Sequence, residues 1–240
     1  MALSGADDGM RSRWCGASLS KGDSEGWGMN EQTEREDAAR ADAVPGSVCH
    51  WPGWLAAPDA DALLHDLQRS VPWEVHRIRM FGRWVDSPRL SCWIGDPQAH
   101  YRYSGADFVP HPWPAVLQAV RARLHDSCAA RFNSVLANRY RDGRDSMGWH
   151  SDDEPELGTQ PLIASLSLGA ARRFLLRRRD DRAQVTEFML GHGDLLVMAG
   201  DTQRHYQHAL PKTARPMGER INLTFRWIAA PTAAPRRAGR

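Results

Sequence analysis

The sequence predicts an α+β protein that is mainly β, an antiparallel sandwich or barrel with helices packed on one outside face. Three observations carry this reading. Short segments rich in β-branched and aromatic residues follow one another at close spacing, divided by Gly, Pro and Asp turns. Only two stretches carry the 3.6-residue apolar period of a surface helix. Finally, 42% hydrophobic residues in 240, with 20 glycines and 15 prolines, suit one large turn-rich domain or two small ones.

Residues 1–45 are rich in Gly, Ser, Asp, Glu and Ala without apolar periodicity, so a disordered extension is expected. Trp14 and Trp27 stand out within it, without an explanation. The domain proper, 46–230, begins near "VCHWPGW", and 231–240 reads as a flexible basic tail. "PDADALLHDLQRS" (58–70) has Asp59 or Asp61 as a start signal and Leu63, Leu64 and Leu67 on one face, an amphipathic helix. "PWPAVLQAVRARLHDSC" (112–128) opens with prolines tolerated in a first turn and buries Val116, Leu117, Val120 and Leu124, a second helix. The strand segments are "WEVHRIRMF" (73–81), "FNSVLANRYR" (132–141), "LIASLSLGA" (162–170), "RRFLLRRR" (172–179), "VTEFMLG" (185–191), "DLLVMAG" (194–200) and "RINLTFRWI" (220–228).

Net charge is +2, unevenly spread: residues 1–45 hold nine acids and five bases, and residues 46–240 hold 20 acids and 26 bases. A polyanionic partner is permitted by this balance and not demanded. The four cysteines, Cys15, Cys49, Cys92 and Cys128, form no C-x-x-C pair, which points to a reduced protein without structural zinc. "MALSGADDGM" lacks the basic and apolar regions of a signal peptide, and no apolar run nears the ~20 residues of a bilayer span. A soluble, cytoplasmic monomer with no membrane partner is expected.

In "RINLTFRW", period two puts Arg220, Asn222, Thr224 and Arg226 on one face and Ile221, Leu223, Phe225 and Trp227 on the other. Two arginines with hydrogen-bonding groups between them can grip a small dicarboxylate; the alternative is a sheet edge with its polar side in water. "NRY" repeats the alternation, Asn138 and Tyr140 against Arg139. In "MGWHSDDE", His150 and Asp152 project the same way if the segment is extended, a spacing that can hold one ion. A second histidine from a distant strand would complete a facial triad, leaving three positions open on Fe(II). "RHYQHALP" offers His205 and His208; three apart in an extended chain, they point to opposite faces, so one of them should reach the metal.

The ordered series "NRY", "HSDDE", "YQHALP" and "RINLTFR" resembles the AlkB-type Fe(II)/2-oxoglutarate dioxygenases over roughly residues 72–228. "RMFGRW", "YRYSG" and "PWP" are similar, in order, to the branch of double-strand-acting DNA repair demethylases. The resemblance implies a double-stranded β-helix (jelly-roll) core with supporting N-terminal helices and a nucleotide-recognition hairpin region. It implies that His150, Asp152 and His208 ligate iron, with His205 the second choice, and that Asn138, Tyr140, Arg220, Asn222, Thr224 and Arg226 hold 2-oxoglutarate. Asp153 would read the exocyclic nitrogen of a methylated base with Glu154 in support, the alternative being a solvated turn before Pro155. Tyr103 would stack on the base, with Tyr101 and Arg102 beside it. Met80 and Phe81 would form the apolar wedge of a hairpin entering the duplex, exposed by a turn at Gly82, with Arg83 beside them on the backbone. Core packing is the competing reading for Met80, Phe81 and Trp84. "RRFLLRRRDDR" (172–182) is either a strand clamp or a solvated loop.

The activity implied is oxidative demethylation of N-alkylated bases (1-methyladenine, 3-methylcytosine type) in DNA, with RNA left open. It would use Fe(II), O2 and 2-oxoglutarate and release formaldehyde, succinate and CO2. A hydroxylase of a protein or small molecule, and a jelly-roll binder without metal, are the other readings. The full triad with both arginines argues against the binder, which has no use for the whole set.

Overall fold

The computed structural model describes residues 47–80, 83–103 and 106–229. The extension 1–45, the tail 231–240, and Phe81 and Gly82 lie outside the described residues, as do the side chains of Met80, Tyr101, Arg102 and Tyr103. The elements run β1 (Ser47–Trp51), α1 (Ala57–Ser70), β2 (Arg77–Met80), β3 (Arg83–Asp86), β4 (Leu90–Gly95), β5 (Tyr101–Tyr103), β6 (Ala106–Phe108), α2 (Ala115–Cys128), β7 (Ser134–Tyr140) and β8 (Met147–His150). They continue as β9 (Ile163–Gly169), β10 (Arg172–Arg178), β11 (Val185–Leu190), β12 (Leu195–Ala199), α3 (Thr202–His205), β13 (Tyr206–Leu210) and β14 (Arg220–Arg226).

Six strands form a major sheet in the order β1-β12-β9-β14-β7-β4, and four form a minor sheet, β11-β10-β13-β8. The pairs β2-β3 and β5-β6 stand apart as two-stranded sheets. All these ladders are antiparallel, so the mainly β, jelly-roll architecture expected from the sequence is the one observed.

Both long helices lie against the major sheet. Ala60, Leu63 and Leu67 of α1 and Leu117, Val120, Leu124 and Cys128 of α2 are buried with Ile221, Leu223 and Phe225 of β14 in one apolar cluster. Each Leu, Val, Ile or Phe among them, fully removed from water, contributes about 1.5–3 kcal/mol. α1 starts one residue earlier than expected, with Pro58 in its first turn, and Asp59 sits inside that turn rather than capping it. α2 starts at Ala115 instead of 112, because Pro112 and Pro114 fix an extended approach and Pro114 itself takes the cap position at ψ 145°. Val116 and Leu64 are half-buried at the edge of the cluster. A second cluster, including Phe174, Leu176, Phe188, Leu196 and Met198, draws on strands of both sheets.

The expected strand 73–81 is shorter, Arg77–Met80, with Glu74 making only an isolated bridge to Ser91. At the β9–β10 turn, Gly169 has φ +84°, and any Cβ there would meet the Glu219 carbonyl oxygen. Glycine therefore lets β9 lie flush against the first residue of β14, its register partner Arg220.

Candidate active site

β14 is central, paired with β7 on one side and β9 on the other, and all seven of its residues are buried. The sheet-edge alternative for its polar face is therefore overturned. A polar face inside a protein is destabilising unless its groups are partnered. Asn222 Oδ1 accepts from Ser165 Oγ (3.1 Å) and Arg220 Nη2 (2.8 Å), while Asn222 Nδ2 donates to Thr224 Oγ1 (2.9 Å). Arg220 Nη2 also donates to Ser167 Oγ at 2.8 Å. The register places Asn138 beside Asn222 and Tyr140 beside Arg220. Asn138 Oδ1 accepts from Arg89 Nε at 2.8 Å, and the Arg220 guanidinium carbon lies 5.4 Å from the Tyr140 ring centroid. Arg139, on the opposite face, pairs with Glu219 at 2.7 Å.

The two arginines have different surroundings. Arg226 Nη2 sits 2.7 Å from Asp152 Oδ1, an ion pair with both side chains buried. Arg220 is 1% exposed, has no carboxylate partner among the described residues, and leaves its Nε without a hydrogen bond. Burial lowers its pKa to about 10, with Tyr140 opposing, so it remains a cation at neutral pH. A buried guanidinium without a counter-ion is a receptor for an incoming carboxylate.

The minor sheet supplies the histidines. β8 and β13 pair so that His150 and His208 are register partners, with ring centroids 4.2 Å apart. Asp152 is not on an extended strand as the spacing suggested: β8 ends at His150 and residues 151–154 are irregular. Tertiary hydrogen bonds hold that stretch instead. Asp152 N–H donates to Gln203 Oε1 (2.9 Å), and Ser151 Oγ donates to the Tyr206 carbonyl (2.6 Å). His205 also departs from the extended-chain premise; it closes the short helix α3 and is exposed, whereas His208 is buried.

His150, Asp152 and His208 each offer one ligand atom, and these atoms lie within 4.8 Å of one another. The set fits a ferrous ion on three counts. His150 Nδ1 is 2.9 Å from the Gly148 carbonyl, which makes it the protonated nitrogen and leaves the Nε2 lone pair for a metal. Asp152 Oδ2 is buried without a hydrogen-bond partner, Arg226 having taken Oδ1. The protonation states are those ligands need. Burial pushes His208 down to about 3 with His150 adding, and burial lowers His150 against the pull of Asp152. Burial would raise the Asp152 carboxyl, but Arg226, His208 and His150 outweigh it and hold it well below the usual range.

One pocket gathers all nine of these metal and dicarboxylate candidates: His150, Asp152 and His208 on one side, and Asn138, Tyr140, Arg220, Asn222, Thr224 and Arg226 on the other. Ser165, Ser167, Arg89, Gln203 and Phe174 were missed. The two serines carry a legible period-two signal in "IASLSLG", since they alternate with buried leucines on a strand beside β14. Gln203, Arg89 and Phe174, whose ring stacks on His208 at 5.4 Å, act through contacts no local pattern announces.

The candidates for substrate contact are less gathered. Asp153 is half exposed and ion-paired with Arg179, and Glu154 caps the short turn at Pro155–Leu157. Arg83 is exposed on β3, and Trp84 is 53% exposed, so core packing is excluded for Trp84. Within 172–182 neither simple reading holds for Arg172, which is buried and donates to the carbonyls of Asp142, Asp145 and Pro211.

Two imidazoles on paired strands of one sheet and a carboxylate just after the first of them, facing a guanidinium on the other sheet with no carboxylate partner among the described residues, define a facial-triad non-haem oxygenase with a carboxylate co-substrate. More particularly, the chain belongs to the 2OG-Fe(II) oxygenase superfamily, which matches residues 47–226. Fe(II) is that family's cofactor, and 2-oxoglutarate and O2 are its co-substrates. The chain is 39% identical over 199 residues to the alpha-ketoglutarate-dependent dioxygenase alkB homolog 3 of Mus musculus, covering 79% of this chain and 69% of that one. It is 37% identical over 193 residues to the DNA oxidative demethylase ALKBH2 of Mus musculus, covering 76% and 81%. The chain spans about two thirds of the alkB homolog 3 relatives it matches. The solved structure of OsALKBH1 shares the fold, with a TM-score of 0.52 at 16% identity over 78% of this chain and 99% of that one. No helix among the described residues is long and apolar enough to cross a membrane.

Proposed function

We propose that this chain is an oxidative demethylase of N-alkylated nucleic-acid bases, acting as a cytoplasmic monomer on alkylated DNA or RNA. The observation that carries the reading is the register pairing of His150 with His208, beside Asp152 and across from Arg220, in a chain with demethylase-named relatives. His150, Asp152 and His208 would hold Fe(II). Arg220, with Tyr140, Asn138, Asn222, Thr224 and Arg226 around it, would hold 2-oxoglutarate.

Bound together, iron, O2 and 2-oxoglutarate would supply the oxidation, with one oxygen atom going to succinate as CO2 leaves and the other to the N-methyl carbon. The hydroxymethyl group then departs as formaldehyde and returns the base unmodified. The chain's own residues position and shield. Arg220 takes a carboxylate in its fork, Arg226 fixes Asp152, and Phe174 covers one face of His208. By the resemblance in sequence, Phe81, Gly82 and Arg83 would enter the duplex, and Tyr101, Arg102 and Tyr103 would meet the extruded base. Asp153, supported by Glu154, would accept the base's exocyclic N–H once its ion pair with Arg179 opens.

The test is succinate formation by the full chain with methylated and unmethylated oligonucleotides, paired and unpaired, DNA and RNA. Stimulation by the methylated strands is expected. Iron and 2-oxoglutarate binding with no such stimulation would assign the site to a protein or small-molecule substrate. Asp152→Ala should lose both iron and turnover, whereas Asp153→Ala should keep iron and lose methylated-base stimulation. Equal iron loss in both would overturn this division of roles.

A further inference from the structure

A second cleft lies away from the metal triad, walled by β10, β11 and the segment after β13. It has about 390 Å³ open to water, against about 40 Å³ for the pocket beside the triad. Glu187 neutralises Arg173 through a 2.6 Å ion pair. Lys212 and Arg215 form no ion pair among the described residues, so the cleft is net positive; the buried Arg172 is offset by the carboxylates of Asp142 and Asp145. It is also apolar in part, since Met217 lines it and Met189 is 54% exposed there. A basic cleft with thioether walls suits an acidic segment bearing an aromatic anchor.

The chain carries such a segment. Residues 23–37, "DSEGWGMNEQTERED", hold six acids and one base around Trp27. We propose that this N-terminal segment docks in the cleft, its carboxylates against Lys212 and Arg215 and Trp27 against Met189 and Met217. The reach is sufficient. β1 begins near Ile163 through its pairing with β12, and β9 runs from Ile163 to Gly169, next to the cleft wall at Ala171. Seven strand residues cover about 24 Å. Trp27 precedes Ser47 by 20 residues, and a coil of that length spans about 25 Å on average. This inference does not depend on the reaction proposed above.

The experiment uses the full chain with Cys15→Ser and Met29→Cys, a nitroxide on residue 29, and carbon-13 methionine methyls as reporters. Cys49, Cys92 and Cys128 are buried in the folded chain, so the label is selective. Docking predicts that the Met189 and Met217 methyl signals lose at least half their intensity to the nitroxide at low salt. They should recover in 1 M NaCl, where the Debye length falls to ~3 Å. They should recover as well in Lys212→Glu/Arg215→Glu, and in a variant with Glu31, Glu34 and Glu36 changed to Gln, which touches no folded element. Trp27→Ala should give partial recovery. Full Met189 and Met217 intensity in the labelled parent overturns the proposal. Loss of intensity that persists in the Glu→Gln variant also overturns it. If signals at the cleft change only when an oligonucleotide is added, the cleft belongs to nucleic acid instead.

Discussion

Replacing Arg226 with methionine tests the coupling between the two sheets. In the parent, Asp152 and Arg226 are 2% and 3% exposed and 2.7 Å apart. Methionine fills much of the arginine's volume but leaves the carboxylate buried without its cation. Removing one member of such a pair destabilises a fold by about 3–5 kcal/mol. For the roughly 180 residues of the family match, unfolding entropy near about 0.38 kcal/mol/K turns this into a fall in Tm of about 8–13 °C. Calorimetry of the metal-free protein reads it directly. Adding manganous ion, a redox-stable stand-in for iron, gives the second readout: it supplies the missing positive charge, so its Tm increment should be larger in Arg226→Met than in the parent. A fall below about 2 °C, or equal increments in the two proteins, would refute the assignment of the ion pair as support for a metal-ligating carboxylate.

Three further outcomes follow from the same structure. Arg220→Met should leave the ligand-free Tm unchanged or higher, because it removes a buried cation without a counter-ion, while abolishing the Tm rise on adding 2-oxoglutarate; a preserved rise would place the dicarboxylate elsewhere. Burial pushes the Cys92 and Cys128 thiols up to about 12, so at pH 8 neither should react with a thiol reagent until denaturant is added, and fast labelling of either in the native chain would contradict the core. Burial raises the Asp194 carboxyl, but hydrogen bonds from His50, Gly191 N and Gly53 N outweigh it and hold the pKa below its ordinary value. A lowered carboxylate stabilises the fold above its unfolded pKa near ~3.9 and loses that contribution as pH falls through the folded value; Asp194→Asn should therefore flatten the stability profile below about pH 4, and an unchanged profile would exclude this role.

The long amphipathic helices and the long strands were legible locally. Ile221, Leu223 and Phe225 alternate with Arg220, Asn222, Thr224 and Arg226 because period two is a property of any extended chain. The strands that local reading passed over, such as Met147–His150 and Tyr206–Leu210, are four or five residues long and carry polar side chains that a pattern search treats as loop. Both turn out to hold a histidine of the triad.

The sequence by itself determined the inventory: which side chains can ligate a metal, which can fork a carboxylate, and which of them share a strand face. Only the tertiary structure decided their company. His208 rather than His205 meets His150 because a four-residue helix removes His205 from the strand and β13 then pairs with β8 in register. Arg226 is bound to Asp152, whereas Arg220, at the other end of β14, has no carboxylate partner among the described residues. Alternation is written in consecutive residues. The identity of a partner dozens of residues away is set by sheet register and packing, which no short stretch of chain contains.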